Sequence, residues 1–256
     1  MFVEWTSFAV IVGPKLFRDE PMTAKDALIM FPIIVSSVAL TGFAYTSLIE
    51  GRDGLKNLRA RLARWKVGFR WYLASLLIPP AGIYTALLLM DFFHPGVFKP
   101  GFFPLGIVFG IFPGIFEEIG WSGYLLPQLL RRNRPAVAAI ILGILWSLWH
   151  LPVVNFLGAA GPHGHYLIHF ALAFSAAMIA MRVLMVLIYL RTESVILTQL
   201  MHASSTGCLV TFSPSHISSG AEAQWYAVYA VVLAMIATSL FLLTGKINSP
   251  RLVASS

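Results

Sequence analysis

The stretch FFPLGIVFGIFPGIFEEIGWSGYLLPQLL, residues 102–130, decides how this chain is read. It is long and apolar enough to cross a bilayer, which takes about 20 mostly apolar residues in a helix. Yet two adjacent carboxylates, Glu117 and Glu118, stand at its middle. A charge at the bilayer centre costs about 2.5–3.5 kcal/mol even on the most lenient insertion scale. Two neighbouring carboxylates cost more, unless one is protonated or both are partnered. Gly106, Gly110 and Gly114 recur every four residues, and the row continues to Glu118 and Ser122. A stripe of small residues lets another helix approach closely, so Glu118 is expected to face a neighbouring helix. Glu117 lies about 100° further round. Pro113 removes a backbone hydrogen bond just before the pair and is expected to open room for water there.

The rest of the chain has the same solvent. Its 256 residues are 58% hydrophobic and 11% charged, with a mean hydropathy of +0.78, whereas a soluble domain carries about a quarter charged residues. Seven segments are expected to span: Ala27–Ile49, Trp71–Phe93, Phe102–Leu130, Pro135–Gly158, Tyr166–Leu190, Ser194–Phe212 and Trp225–Gly245. Phe2–Phe17 is a weaker eighth. The expectation is an all-α, polytopic transmembrane bundle of seven to eight helices, forming a single membrane-embedded domain over residues 1–256. One cysteine, Cys208, excludes an intramolecular disulfide.

A net charge of +7 could suggest nucleic acid, but the basic residues sit in short loops beside apolar segments, where they orient a membrane protein. Gly51–Arg70 holds seven Lys/Arg against one acid, Arg131–Arg134 three arginines, and Arg191, Lys246 and Arg251 follow the pattern. The alternate loops carry Lys99 or no Lys/Arg at all. The positive-inside rule then predicts a cytoplasmic C-terminus. The loop with Lys15, Arg18 and Lys25 falls outside on this scheme and runs against the rule. Leu55, Leu58, Leu62, Trp65 and Phe69 recur at helical spacing among the basic residues, which predicts an amphipathic helix at the cytoplasmic membrane surface.

Two histidines share the burial expected of the glutamates. His150 lies one turn after Trp146, and His202 has Thr198, Ser205 and Thr206 on the same face of its segment. Carboxylates on one helix and histidines on two others can activate a water. The carboxylate takes the proton, and the histidines orient the water, stabilise an oxyanion or hold a metal. Arg182 is either an ion-pair partner for the glutamates or a side chain snorkelling to the surface. His163, His165 and His169 read as ordinary loop histidines, with a metal site on the outer face as the rival.

Several of these residues together resemble a known family. Phe116-Glu117-Glu118-Ile119-Gly120-Trp121-Ser122-Gly123-Tyr124-Leu125-Leu126-Pro127 is similar to the first motif of the CPBP family, the CAAX proteases and bacteriocin-processing enzymes. Trp146-Ser147-Leu148-Trp149-His150-Leu151-Pro152 resembles the second motif, and Leu200-Met201-His202-Ala203-Ser204 the third. The likeness covers roughly residues 51–210. It implies an intramembrane endopeptidase acting on a membrane-associated peptide or protein, with the lipid bilayer as its surroundings and no nucleic-acid partner. By position it implies Glu117 as general base, Glu118 as its support, and His150 and His202 as groups that position water, bind the oxyanion or ligate a divalent metal such as zinc. Metal-dependent and metal-free mechanisms both remain open at this stage. Ser122 stands where the family's first motif has arginine, and Thr206 where its third has Asn or Asp. These departures motivate a second reading, a catalytically impaired membrane scaffold or chaperone. Buried Glu and His motivate a third, a transporter or proton relay.

Overall fold

In a computed structural model, residues 24–214 and 216–244 are described. The segment Phe2–Phe17 and the basic residues Lys15, Arg18, Lys246 and Arg251 lie outside them. The described residues form helices joined by turns and irregular loops, without strands. Their order is α1 (Ala24–Tyr45), a π-turn (Thr46–Glu50), α2 (Gly51–Leu62), α3 (Phe69–Phe93), α4 (Gly106–Gly120), a second π-turn (Trp121–Leu125), α5 (Leu126–Arg132) and α6 (Pro135–His150). Two 3-10 turns follow (Leu151–Phe156 and Gly164–Tyr166), then α7 (Leu167–Thr192), α8 (Val195–Phe212) and α9 (Ser219–Thr244).

Among the described residues, six stretches are long and apolar enough to cross a membrane: Phe31–Leu62, Phe69–Phe93, Pro135–Phe156, Gly164–Thr192, Val195–Phe212 and Ser219–Leu242. The seventh expected segment, 102–130, is the α4–π-turn–α5 run, and its two glutamates lie buried inside the bundle. Exposed Leu40, Leu48, Leu88, Phe92, Ile168 and Leu172 face outward, as side chains meeting lipid would.

The glycine row sets the closest helix contact. A Cβ on Gly110 would meet the Ala203 carbonyl oxygen at 2.2 Å and the Gly207 nitrogen at 2.4 Å, so α4 and α8 touch backbone to backbone. On the other side of α4, a Cβ on Gly42 would lie 2.7 Å from the Gly120 Cα. The helix carrying the glutamates is therefore wedged between α1 and α8. Pro113 does not break it. The irregularity comes later, at the Trp121–Leu125 π-turn. Such turns frequently mark functional sites.

The two ends of the bundle are tied differently. At one end lie the basic loops. Arg64 pairs with Glu193 at 2.7 Å, Arg131 with Glu50 at 3.0 Å, and the Arg61 guanidinium donates to the Gly123 carbonyl at 2.8 Å. At the other end, Gly101 N–H donates to Ser213 O at 3.2 Å and Phe103 N–H to Thr211 O at 3.0 Å. There Glu222 accepts from the amides of Ala159 (2.6 Å) and Ala160 (2.9 Å) and contacts His163 Nε2 at 3.0 Å.

Two expected boundaries move. The amphipathic helix stops at Leu62 instead of running to Arg70, because the chain turns there to enter α3. Its Leu58 is buried against Ala39 and Ile119 rather than lying on a membrane surface, while Trp65 and Phe69 are exposed. The expected span 135–158 is α-helical only to His150. A proline disfavours the helical region for the residue before it, and Pro152 follows Leu151 into the 3-10 turn.

Candidate active site

Glu117 and Glu118 are neighbours in sequence with opposite surroundings. Glu118 points into the α4–α7–α8 junction and is fully buried. One Arg182 nitrogen lies 2.9 Å from both of its oxygens, His202 Nδ1 lies 2.8 Å from Oε1, and the Ser122 hydroxyl donates to Oε2. Arg182 itself is fully buried. Its Nε and second terminal nitrogen have no hydrogen-bond partner among the described residues. Instead the guanidinium carbon sits 4.1 Å from the centroid of the Trp146 ring, a desolvated cation on an indole face. The pairing of Arg182 with a glutamate is thus real, and it engages Glu118. Snorkelling does not occur.

Glu117 is 4% exposed, and its Oε2 has no hydrogen-bond partner among the described residues. It lines a cavity of about 270 Å³ together with His150, His202, Thr206, Trp149 and Pro113. A buried carboxylate oxygen without a protein donor is costly unless water or a ligand reaches it, and the cavity gives that access.

The two histidines are held by hydrogen bonds on their Nδ1 atoms. His150 Nδ1 lies 2.8 Å from the Trp146 carbonyl oxygen, one turn earlier in α6. A carbonyl only accepts, so Nδ1 carries the hydrogen and Nε2 is the free nitrogen. His202 likewise gives its Nδ1 hydrogen to Glu118. Trp146 stands between them, with its ring 5.4 Å from His150 and 5.1 Å from His202, both edge-on. Phe174 closes on His150 from α7 at 5.4 Å. The imidazoles are therefore fixed in orientation by one tryptophan, which rests in turn on Arg182.

Glu117, His150 and His202 thus line one cavity, and Glu118 backs it. Thr206 also lines it. Sequence reasoning treated Arg182 as a rival explanation for the glutamates and missed that it would serve only Glu118. A helical wheel carries no information on which face of a second helix turns inward.

Among the described residues, no three His, Cys, Asp or Glu side chains come together to hold a metal ion. The donors present therefore do not fit a zinc site of three protein ligands. His163, His165 and His169 do not converge either. His163 is buried on Glu222 and stacked on Phe170 at 3.6 Å, while His165 and His169 are exposed.

Residues 99–208 match the family described as type II CAAX prenyl endopeptidase Rce1-like. The chain is also 26% identical over 164 residues to CAAX prenyl protease 2 of Methanococcus maripaludis. That alignment covers 60% of this chain and 58% of the length of the archaeal protein.

Proposed function

We propose, from the premise that this chain belongs to the CPBP/CAAX protease family through an Rce1-like domain at residues 99–208, that it is an intramembrane endopeptidase hydrolysing peptide bonds of membrane-associated substrates. One observation carries the mechanism: of two adjacent buried glutamates, Glu118 is saturated by Arg182, His202 and Ser122, whereas Glu117 has an unpartnered oxygen on the cavity.

Glu117 is the general base. It takes a proton from a water in the cavity as the oxygen attacks the scissile carbonyl, and returns it to the leaving amine. His150 Nε2, free because Nδ1 serves a carbonyl, accepts a hydrogen bond from that water and aims its lone pair. His202 is fixed by Glu118 at Nδ1 and lines the same cavity, where it helps to position the water and the scissile carbonyl. Glu118 positions His202 and does not touch the substrate. No step passes through a metal.

The test is cleavage of membrane-anchored peptides by purified protein beside Glu117→Gln and His150→Ala. A general base contributes about 10²–10⁴-fold, so Glu117→Gln is expected to lower kcat by at least about a hundredfold with its fold unchanged. EDTA should leave wild-type activity intact. Full activity in Glu117→Gln would end the assignment, and EDTA inhibition reversed by zinc would replace the metal-free route. The basic end of the bundle, with residues 51–70, 131–134 and Arg191, is the cytoplasmic end by the positive-inside rule.

A further inference from the structure

One face of α2 packs on nothing. Gly54, Leu58 and Arg61 recur at helical spacing and face the protein. Leu58 is buried with Ala39 and Ile119, and Arg61 donates to the Gly123 carbonyl at 2.8 Å. Arg52, Lys56 and Arg59 repeat at the same interval on the opposite side, and all three are exposed. Like charges one turn apart destabilise a helix, so the row weakens α2 and adds no packing in return.

The acids at this end do not neutralise it. Glu50 is paired with Arg131 at 3.0 Å and Glu193 with Arg64 at 2.7 Å. Asp53 lies about 100° round α2 from Arg52. Among the described residues, neither Asp53 nor any cation of the row makes an ion pair. The Glu50–Arg131 pair also brings exposed Arg132 and Arg134 to the same end.

The row stands where two apolar stretches meet the membrane boundary. Phe31–Leu62 ends just after it, and Phe69–Phe93 begins after a short connection. That connection holds Trp65, which is exposed like Phe69 beside it, and such aromatic side chains settle at headgroup level. Lys66 lies 5.4 Å from the Trp65 ring centroid, and the Arg70 guanidinium 5.1 Å from that of Trp71. Two further cations are thus held among aromatic rings. A cluster of cations at the end of a spanning segment is complementary to acidic headgroups, and the exposed aromatics favour a lipid surface over a soluble acidic protein.

We propose that the outer face of α2, with Lys66 and Arg70, binds the headgroups of acidic phospholipids, and that lipid held there keeps α2 seated on the π-turn at Trp121–Leu125. The contact is with headgroups and not acyl chains, because α2 turns its apolar side to the protein. The seating bears on the candidate site, since Leu58 packs with Ile119, the neighbour of Glu118, and Arg61 holds Gly123, the neighbour of Ser122. None of this depends on the peptidase reading.

The full chain in detergent is titrated with phosphatidylglycerol or phosphatidylcholine of the same acyl chains, and bound lipid is counted by native mass spectrometry. The wild type is expected to prefer phosphatidylglycerol. Arg52→Gln/Lys56→Gln/Arg59→Gln should bind it at least about tenfold more weakly, with phosphatidylcholine unchanged. Lys66→Gln/Arg70→Gln leaves α2 intact and should also lose part of the preference, which keeps the test valid if the triple variant is too unstable to purify. No preference in the wild type, or an undiminished one in either variant, overturns the binding surface. Hydrogen exchange in nanodiscs of phosphatidylcholine, with and without phosphatidylglycerol, reads the seating. The acidic lipid should slow exchange at the Trp121–Leu125 amides in the wild type and not in the triple variant. Equal exchange of the wild type in both lipid mixtures overturns that part.

Discussion

Arg182 carries the charge balance of the site. A guanidinium with two nitrogens lacking acceptors is tolerated because the third engages both Glu118 oxygens and the Trp146 face takes the rest of the charge. Ser122 stands at the position where the resembling motif has arginine. Here the positive charge reaches Glu118 from α7 instead, and Ser122 adds a hydrogen bond. Removing one partner of a buried pair costs about 3–5 kcal/mol, because the other is left as an uncompensated charge. Arg182→Met is therefore expected to lower thermal stability sharply in detergent. Arg182→Met with Glu118→Gln should recover much of it, since both charges leave together. The double variant should stay slow in peptide cleavage, because His202 loses the carboxylate behind it. Equal stability of the single and double variants would refute the pairing as the cause.

At the scale of elements, the site depends on how closely α4 and α8 approach. The glycines place Glu118 within reach of His202 by letting two backbones meet without side chains between them. Gly110→Ala would put a methyl 2.2 Å from the Ala203 carbonyl oxygen, which neither backbone can accept without moving apart. Overpacking costs about 1–3 kcal/mol, and the shift separates α4 from α8 near Glu118 and His202. The expected outcome is a lower Tm together with a fall in kcat larger than any change in KM. A variant that loses no stability would show that the helices are not in backbone contact. The second π-turn has its own support, from Leu58 and Arg61 of α2, so the basic segment expected to serve as a surface anchor also braces the helix that carries the glutamates.

At the scale of the molecule, the end opposite the basic loops is held by Glu222. Its carboxylate gathers the amides of Ala159 and Ala160 and the ring of His163, all from the segment that follows His150 and roofs the cavity. Glu222→Ala removes the shared acceptor of the part-buried Ala159 and Ala160 amides and the partner of the buried His163 ring, the buried group alone costing about 1–3 kcal/mol. The 151–166 segment should then open locally without global unfolding. Hydrogen exchange is expected to speed up at Ala159 and Ala160 while the α4 amides keep their protection. Unchanged exchange at those two amides would show that other contacts hold the segment.

The membrane bundle was legible in the sequence because hydropathy and loop charge are summed over many residues, and no single contact decides them. The Glu117–Glu118 pair, His150 and His202 stood out for the same physical reason: ionisable groups in apolar spans are costly enough to demand an explanation. The glycine row likewise predicted a close helix contact, since small side chains at one helical period have little other effect. Tertiary structure alone decided the rest. It paired Arg182 with Glu118 and left Glu117 Oε2 without a protein partner among the described residues, separated the three loop histidines and ended α6 at His150. Each of these depends on which faces of distant helices meet. That is set by the packing of the whole bundle, and the periodicity of one segment does not contain it.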